Sequence, residues 1–269
     1  MQGTILPERW ERIIELVENQ GRASVEEIAQ TLGVSRPTVR RDLTSIQRRG
    51  LIRRLRGGAE RSEVARPAIT LADSRRVNPV EKELIGRVAA GLVRPGDCVM
   101  LDGGFTTYQV ARHLPVGDLT VVTNSLDVAQ AIATRKDVSL VVLGGLLLVE
   151  SGATSGPTTE SQIAELAADK AILGANAFSP EDGLFADMQL VAEVKKAMIR
   201  SCSEIIVVAD ASKLGKSALY RAAPLDAIGT LVTDDRADEA ALEEIRQAGV
   251  KVVVASRSED LTNLPLTPS

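Results

Sequence analysis

The sequence predicts two modules: an N-terminal winged helix-turn-helix, and a larger C-terminal α/β domain on a mostly parallel, doubly wound sheet. Three observations carry this prediction. Three short amphipathic helical patterns fill the first fifty residues and run into an arginine-rich hairpin pattern. Farther along, apolar runs ending in polar or glycine-rich turns alternate with helical patterns, as parallel strands and their crossover helices do. Charge divides the same way. Residues 1–66 hold 13 arginines, no lysine and 9 acids, for a net +4, whereas residues 67–269 hold 19 basic residues against 27 acids, for −8.

Pro7 is placed to open the first helix, in which Ile13, Ile14, Leu16 and Val17 form an apolar stripe that ends near Asn19–Gly21. Ser24 and Glu27 make a capping-box pair for a second helix with Val25, Ile28, Ala29 and Leu32 on its inner face, and Gly33 stops it. A third helix starts at Ser35 with Pro37 in its first turn; Val39, Leu43 and Ile46 share one arc, and Gly50 closes it. Two helices joined by a tight glycine turn are the helix-turn-helix pattern, whose second member enters the major groove. With the apolar arc inward, Arg41, Thr44 and Arg48 face outward, flanked by Thr38, Arg40 and Ser45. Ser35, Arg36 and Thr38 stand at the helix N-terminus, where backbone amides favour phosphate. Residues 51–58 then read as a hairpin wing carrying Arg53, Arg54 and Arg56 before Gly57. Between Ser35 and Gly57 eight arginines meet one acid, Asp42. Arginine's planar fork suits phosphates and guanine edges, so the window predicts a duplex-DNA surface rather than a merely solvated face.

Residues 60–77, with mixed charge and little periodicity, read as a linker. The domain over 78–255 opens with a helix at 78–92. Five apolar runs, each ending in a polar or glycine-rich turn, are expected as strands within 98–104, 120–125, 139–145, 170–176 and 204–210; two more candidate strands, 230–233 and 250–254, flank a helix at 238–248, and residues 256–269 read as a tail. In such sheets ligands bind outside the strands' carboxyl ends. The turns there supply Asp102, Gly103, Gly104, Thr106, Thr107, Thr123, Asn124, Ser125, Gly144, Gly145 and Asp210. Glycines let backbone approach a phosphate, hydroxyls cap helices or donate to an anion, and carboxylates suit sugar hydroxyls.

The stretch SVEEIAQTLGVSRPTVRRDLTSIQRRGLIRRLRGGA resembles the winged helix of the DeoR family, most specifically in its SxxTxRRDL helix and RxxGGA wing, over about residues 7–59. The larger domain resembles that family's sensor domain, itself similar to ribose-5-phosphate isomerase. The matching segments are DGGFTT, VVTNS, GG at 144–145, GP at 156–157, DKAILGA, EVK at 193–195 and ADASK at 209–213. The resemblance adds Glu193, Lys195 and Lys213 to the candidate effector site. It departs from the family at Gly103–Phe105, where Asp-Ser/Ala-Gly-Thr-Thr is usual, and at Ala211 and Leu214. Residues 183–195 are expected to form a specificity loop.

What the resemblance implies is a repressor of carbohydrate genes that binds operator DNA and is relieved by a phosphorylated sugar or related metabolite. The alternatives are an isomerase-like enzyme with a DNA-binding appendage, in which Asp102, Glu193 or Asp210 moves a proton and Lys213 holds charge, and a nonspecific architectural DNA binder. A homo-oligomer, at least a dimer, is expected, because one recognition helix reads few base pairs. No cofactor is expected. Asp210 replaces the first glycine that a Walker A loop would need before Gly215-Lys216-Ser217, and Gly103-Gly104 lacks the rest of a dinucleotide fingerprint. His113, the one histidine, reads as a helix-end residue, and Trp10 as core. Cys98 and Cys202 read as buried free thiols, so no metal site is expected. The longest apolar stretch, Val138 to Val149, is broken by Ser139, Gly144 and Gly145, and the N-terminus lacks a signal-peptide pattern. A cytoplasmic chain without membrane spans is expected.

Overall fold

A computed structural model describes residues 8–48, 52–55, 57–61 and 71–256. It divides into two compact units, residues 1–68 and 69–269. Pro7, Arg56 and the tail beyond Ser256 lie outside the described residues.

The first unit runs α1 (Glu8–Gln20), β1 (Arg22–Ser24), α2 (Val25–Leu32), α3 (Arg36–Arg48), β2 (Ile52–Leu55) and β3 (Gly58–Arg61). The capping box forms: Ser24 N donates to Glu27 Oε2 at 2.7 Å and Glu27 N donates to Ser24 Oγ at 3.1 Å. Gly33 ends α2 at φ 64°, a left-handed turn in which glycine carries no side-chain penalty. Ile13, Val17, Ile28, Val39, Leu43 and Ile46 are fully buried together, so the apolar arcs do face one core. Antiparallel β2 and β3 make the wing, and β3 also pairs with β1, where Ala23 lies opposite Ala59. That third strand, three residues long, was hidden under the helix cap in the sequence.

The second unit begins with α4 (Leu71–Arg76), α5 (Pro79–Ala90), β4 (Cys98–Leu101), α6 (Phe105–His113), β5 (Leu119–Thr123), α7 (Leu126–Ile132) and β6 (Val138–Val142). It continues with β7 (Leu146–Leu148), β8 (Ala153–Ser155), α8 (Pro157–Ala164), β9 (Ala168–Gly174), β10 (Ala177–Ser179), β11 (Gly183–Ala186) and α9 (Gln189–Arg200). The last elements are β12 (Cys202–Val208), β13 (Tyr220–Ala223), β14 (Thr230–Asp234), α10 (Glu239–Gln247) and β15 (Lys251–Ala255). Seven parallel strands form one sheet in the order β15-β14-β12-β9-β4-β5-β6. The chain winds outward from β4 to β6, then restarts beside β4 and winds the other way from β9 to β15. The reversal falls between β4 and β9, where the crevice of a doubly wound sheet opens.

Both sheet faces are buried, as the unbroken apolar runs require. Val99, Leu101, Ile172, Ile206 and Val208 pack with Ile85, Val110 and Val128 of α5, α6 and α7. The alternate residues Met100, Leu173 and Val207 pack with Ile163, Met198 and Leu242 of α8, α9 and α10. A small antiparallel sheet, β10-β11-β13, and the β7–β8 hairpin lie beside this frame. Two expectations are corrected. The stretch 60–77 is not all linker, because β3 reaches Arg61 and α4 occupies 71–76. The stretch 183–195 is not a loop: it is β11 and the first half of α9, joined by Asp187 and Met188.

Among the described residues no helix is long and apolar enough to cross a membrane. Cys98 and Cys202 are free and half-buried, not fully buried; burial, with the nearby Cys98 and Asp169, pushes the Cys202 thiol up to about 12. His113 ends α6, with Nδ1 2.8 Å from Gln109 O.

Candidate functional site

In the first unit Arg36, Arg40, Arg41 and Arg54 are exposed, whereas the one acid of the 35–57 window is buried. Asp42, on the buried side of α3, accepts from Arg9 Nε at 2.7 Å, Arg9 Nη2 at 3.0 Å and half-buried Trp10 Nε1 at 2.9 Å. Burial pushes this carboxyl up, but the hydrogen bonds from Arg9 and Trp10 and the charges of Arg9 and Arg41 outweigh it and hold it below the usual carboxylate range. Trp10 thus joins the core edge and clamps α1 to α3.

Arg40 and Arg41 are exposed on α3, as the helical spacing requires. Ser35 caps the helix: its Oγ lies 2.8 Å from Thr38 Oγ1 and accepts from Thr38 N at 3.4 Å. Arg36 pairs with Glu26 of α2. Thr44, expected on the outer face, is half-buried; its hydroxyl donates to Arg40 O at 2.8 Å and accepts from Arg54 Nη1 at 2.9 Å. Arg54 therefore braces the wing against α3. Arg48 belongs to α3 and Arg53 to β2, while Gly57 turns the hairpin at φ 96°.

In the second unit the sheet's carboxyl edge gathers most of the expected residues. Asp102 follows β4 at the reversal point and is 2% exposed. Lys195, equally buried, reaches it from α9: Nζ donates to Asp102 Oδ2 and, at 2.7 Å, to Gly174 O at the end of β9. Gly174 N donates to the same carboxylate at 3.3 Å. Gly103 and Gly104 then lead into α6; a Cβ on Gly103 would lie 2.9 Å from that of Ala153. Buried Thr106 and Thr107 form the first turn, with Thr107 Oγ1 donating to Gly104 O at 2.9 Å. At the end of β5, Thr123 Oγ1 donates to Leu101 O at 2.7 Å, and Ser125 Oγ caps α7 by accepting from Val128 N at 3.4 Å. Asn124 donates through Nδ2 to Thr154 O at 2.8 Å, and its buried Oδ1 has no partner. This edge offers a helix N-terminus, a buried ammonium–carboxylate pair and an unsatisfied acceptor, the chemistry that takes up a small polar anion with hydroxyls.

A second polar group sits at the end of β12. Asp210, 1% exposed, accepts from Asn78 Nδ2 at 2.8 Å and Ser212 N at 3.1 Å, and lies 4.0 Å from Lys82 Nζ. Lys213 is half-buried in the turn that follows. Burial lowers the Lys82 pKa; the Asp210 charge opposes this, and the charge of Lys213 adds to it.

Three expected contributors, Glu193, Gly144 and Gly145, are engaged elsewhere. Glu193 is two residues, about 200° of helix, from Lys195 and pairs with Lys196 at 2.9 Å. Gly144 and Gly145 are exposed after β6 and bound to α8: Thr159 Oγ1 donates to Gly144 O at 2.7 Å, and a Cβ on Gly145, at φ 145°, would come 2.1 Å from Thr159 Oγ1. Lys82 and Asn78 were missed. Lys82 occupies the buried stripe Lys82, Ile85, Gly86, Ala89 of α5, so a lysine in a core position was the available signal.

Residues 9–64 match the family model for the DeoR-like helix-turn-helix domain, and residues 77–235 match the model for the DeoR C-terminal sensor domain. The chain is a DeoR-family transcriptional regulator. Curated relatives of this DeoR-family regulator align over nearly its whole length. It is 32% identical to the HTH-type transcriptional repressor GlcR of Bacillus subtilis over 94% of this chain and 97% of that one. It is 36% identical to the HTH-type transcriptional regulator GlpR of Haloferax volcanii over 91% and 96%. The transcriptional repressor AccR of Agrobacterium fabrum is 33% identical over 84% and 89%. Among solved structures, ribose 5-phosphate isomerase A from Neisseria gonorrhoeae overlaps 49% of this chain and 52% of its own, at 15% identity and a TM-score of 0.37. The sorbitol operon regulator SorC from Klebsiella pneumoniae overlaps 89% and 100%, at 14% identity and a TM-score of 0.40. Overlaps this slight carry no functional argument. The DeoR-family assignment makes the chain a regulator rather than an isomerase with an appended DNA-binding module.

Proposed function

We propose that this DeoR-family regulator represses carbohydrate-metabolism genes in the cytoplasm by binding operator DNA, and that a phosphorylated sugar or related small anion relieves repression. The DNA contacts come from α3, through Arg40, Arg41 and Arg48 with Ser35, Arg36 and Thr38 at its start, and from the wing at Arg53, Arg56 and Gly57. Arg54 and Thr44 hold the wing in register with the helix. Relatives named as repressors support the sign of regulation.

The observation that carries the effector reading is the composition of the carboxyl edge at the sheet's reversal. Gly103 and Gly104 bring backbone amides of α6 to the crevice, Lys195 places a buried cation beside Asp102, and the bare Oδ1 of Asn124 awaits a donor such as a sugar hydroxyl. A phosphate fits the amides, and hydroxyls fit Asp102 and Asn124. Thr106, Thr107, Thr123 and Ser125 shape the walls, and Asp210 and Lys213 form the far pole.

The test is a thermal-shift screen of the full chain with sugar phosphates, polyol phosphates and unphosphorylated sugars, followed by DNA binding with each hit. A phosphorylated ligand is expected to raise the melting temperature and weaken DNA binding by about 5–150-fold. Stabilisation by unphosphorylated sugars alone, or by none of the panel, refutes the effector reading.

A further inference from the structure

The helix α4 follows directly on the segment that joins the two units, and cations fasten it to elements that begin at the crevice. Arg75 Nη2 donates to Asp127 Oδ1, in the first turn of α7, at 2.9 Å. The same guanidinium lies 5.9 Å from the Phe105 ring and 5.6 Å from the Tyr108 ring, which stack on each other where α6 starts. From α5, Lys82 Nζ donates to Ser74 O at 2.7 Å and Ser74 Oγ at 3.2 Å. A helix of six residues has no core of its own to hold it. These contacts do.

Both fastenings leave their cation under-served. Arg75 makes one of the two bonds that its fork could make to a carboxylate, and Asp127 Oδ2 is buried with no partner. Lys82 is 3% exposed and spends its short contacts on a neutral carbonyl and a hydroxyl, with the Asp210 carboxylate 4.0 Å away and the Lys213 charge nearby. A phosphate group offers Lys82 an ionised acceptor in place of neutral ones, for hydrogen bonds about twice as strong, and offers Arg75 oxygens for both arms of its fork.

We propose that α4 is a strap that anion binding in the crevice unfastens. The ligand's charge draws Arg75 from Asp127 and Lys82 from Ser74, and α4 is released from the starts of α5, α6 and α7. A ligand shifts a conformational equilibrium only by its differential affinity. Here the difference is that both cations reach the anion only when the strap lets them go. The inference rests on the effector reading above and adds the route by which that site is heard.

The strap is tested without the natural ligand, on the full chain, by Arg75→Gln and Asp127→Ala, which remove the same ion pair from opposite ends. Hydrogen exchange at residues 71–78 is expected to quicken about three- to tenfold in both variants, while the amides of β4, β9 and β12 keep their protection. Affinity for a duplex that the wild type selects from a random pool is expected to fall at least fivefold. Inorganic phosphate added to the wild type is expected to quicken exchange in the same residues. Variants that keep wild-type exchange at 71–78, or that exchange faster yet bind the duplex as tightly as wild type, overturn the strap. If sugar phosphates release the wild type from DNA without changing exchange at 71–78, the effector reading stands and the strap falls. If no phosphate compound stabilises the protein, the effector reading fails, and the two variants still decide whether α4 governs DNA binding.

Discussion

Lys195 puts an ammonium on the buried side of α9, among Ala192, Val194, Ala197 and Met198, and Asp102 is its counter-ion. An ion pair so deep is no better for stability than a well-packed apolar pair, because desolvation offsets the attraction. Breaking it from one side is another matter. Lys195→Met should destabilise the larger unit by about 3–5 kcal/mol, because the Asp102 charge is left buried without its cation. Adding Asp102→Asn should recover most of that loss, as an interaction energy in the double-mutant cycle. Urea unfolding followed by circular dichroism checks both. A single variant as stable as wild type would show that Asp102 has another counter-charge. A pair that is costly to disturb but worth little to stability is a sign of use in binding, and that is why these two residues anchor the proposed effector site.

Among the elements, α1 and α3 are joined by a buried carboxylate. Asp42 bridges them through Arg9 and Trp10. Its pKa is depressed in the folded state, so its contribution is complete above the unfolded value of about 3.9 and is lost as pH falls through the folded value. Trp10 is the only tryptophan and touches the titrating group, so its fluorescence reports this unit alone. Acid titration should shift the emission below about pH 4. Asp42→Asn should flatten that limb and cost about 1–3 kcal/mol at neutral pH; an unchanged acid limb would assign the transition to another carboxylate. The helices of this unit were legible because each carries three or more apolar residues at helical spacing, and the capping box and Gly33 marked their ends. The seven parallel strands were legible as apolar runs with turn residues after them, and so was the row of polar side chains at their carboxyl edge. Shorter elements were not. Three residues in β1 and six in α4 are too few to show a period. α9 was mistaken for a loop because Glu193, Lys195 and Lys196 interrupt its apolar pattern, although Lys195 is a core residue with a hidden partner. Pairing across the fold is what sequence order conceals: Asn78 with Asp210, and Arg75 with Asp127, are 132 and 52 positions apart.

At the scale of the whole molecule, charge assigns the work. The first 66 residues carry +4 and the remainder −8, so nucleic acid is attracted to one module and repelled by the other. One α3 reads only a few base pairs, too little to single out an operator. A two-fold pair of chains doubles the contacts and fixes the distance between them, so a dimer or higher homo-oligomer is expected, held through the sensor units, on half-sites about 10–10.5 bp apart or a multiple of that spacing. If such a pair neutralises roughly 6–10 phosphates, affinity should fall by about 10³–10⁵ between 50 and 200 mM salt. Arg41→Ala divides two roles within that total. Should Arg41 read a base edge, selected and random duplexes lose affinity unequally; should it hold a phosphate, both lose alike and the salt slope falls by about one. Light scattering with and without DNA gives the stoichiometry. A monomer at micromolar concentration in both conditions, or binding indifferent to salt, is incompatible with a symmetric reader. Half-site spacing supplies the sharper check, because inserting about half a helical turn, 5 bp, turns the second half-site to the opposite side of the duplex. A rigid two-fold pair then loses its second contact, and affinity should drop to that of a single half-site. If affinity survives the insertion, the two DNA-binding units are independently tethered and the sensor cannot act through their spacing.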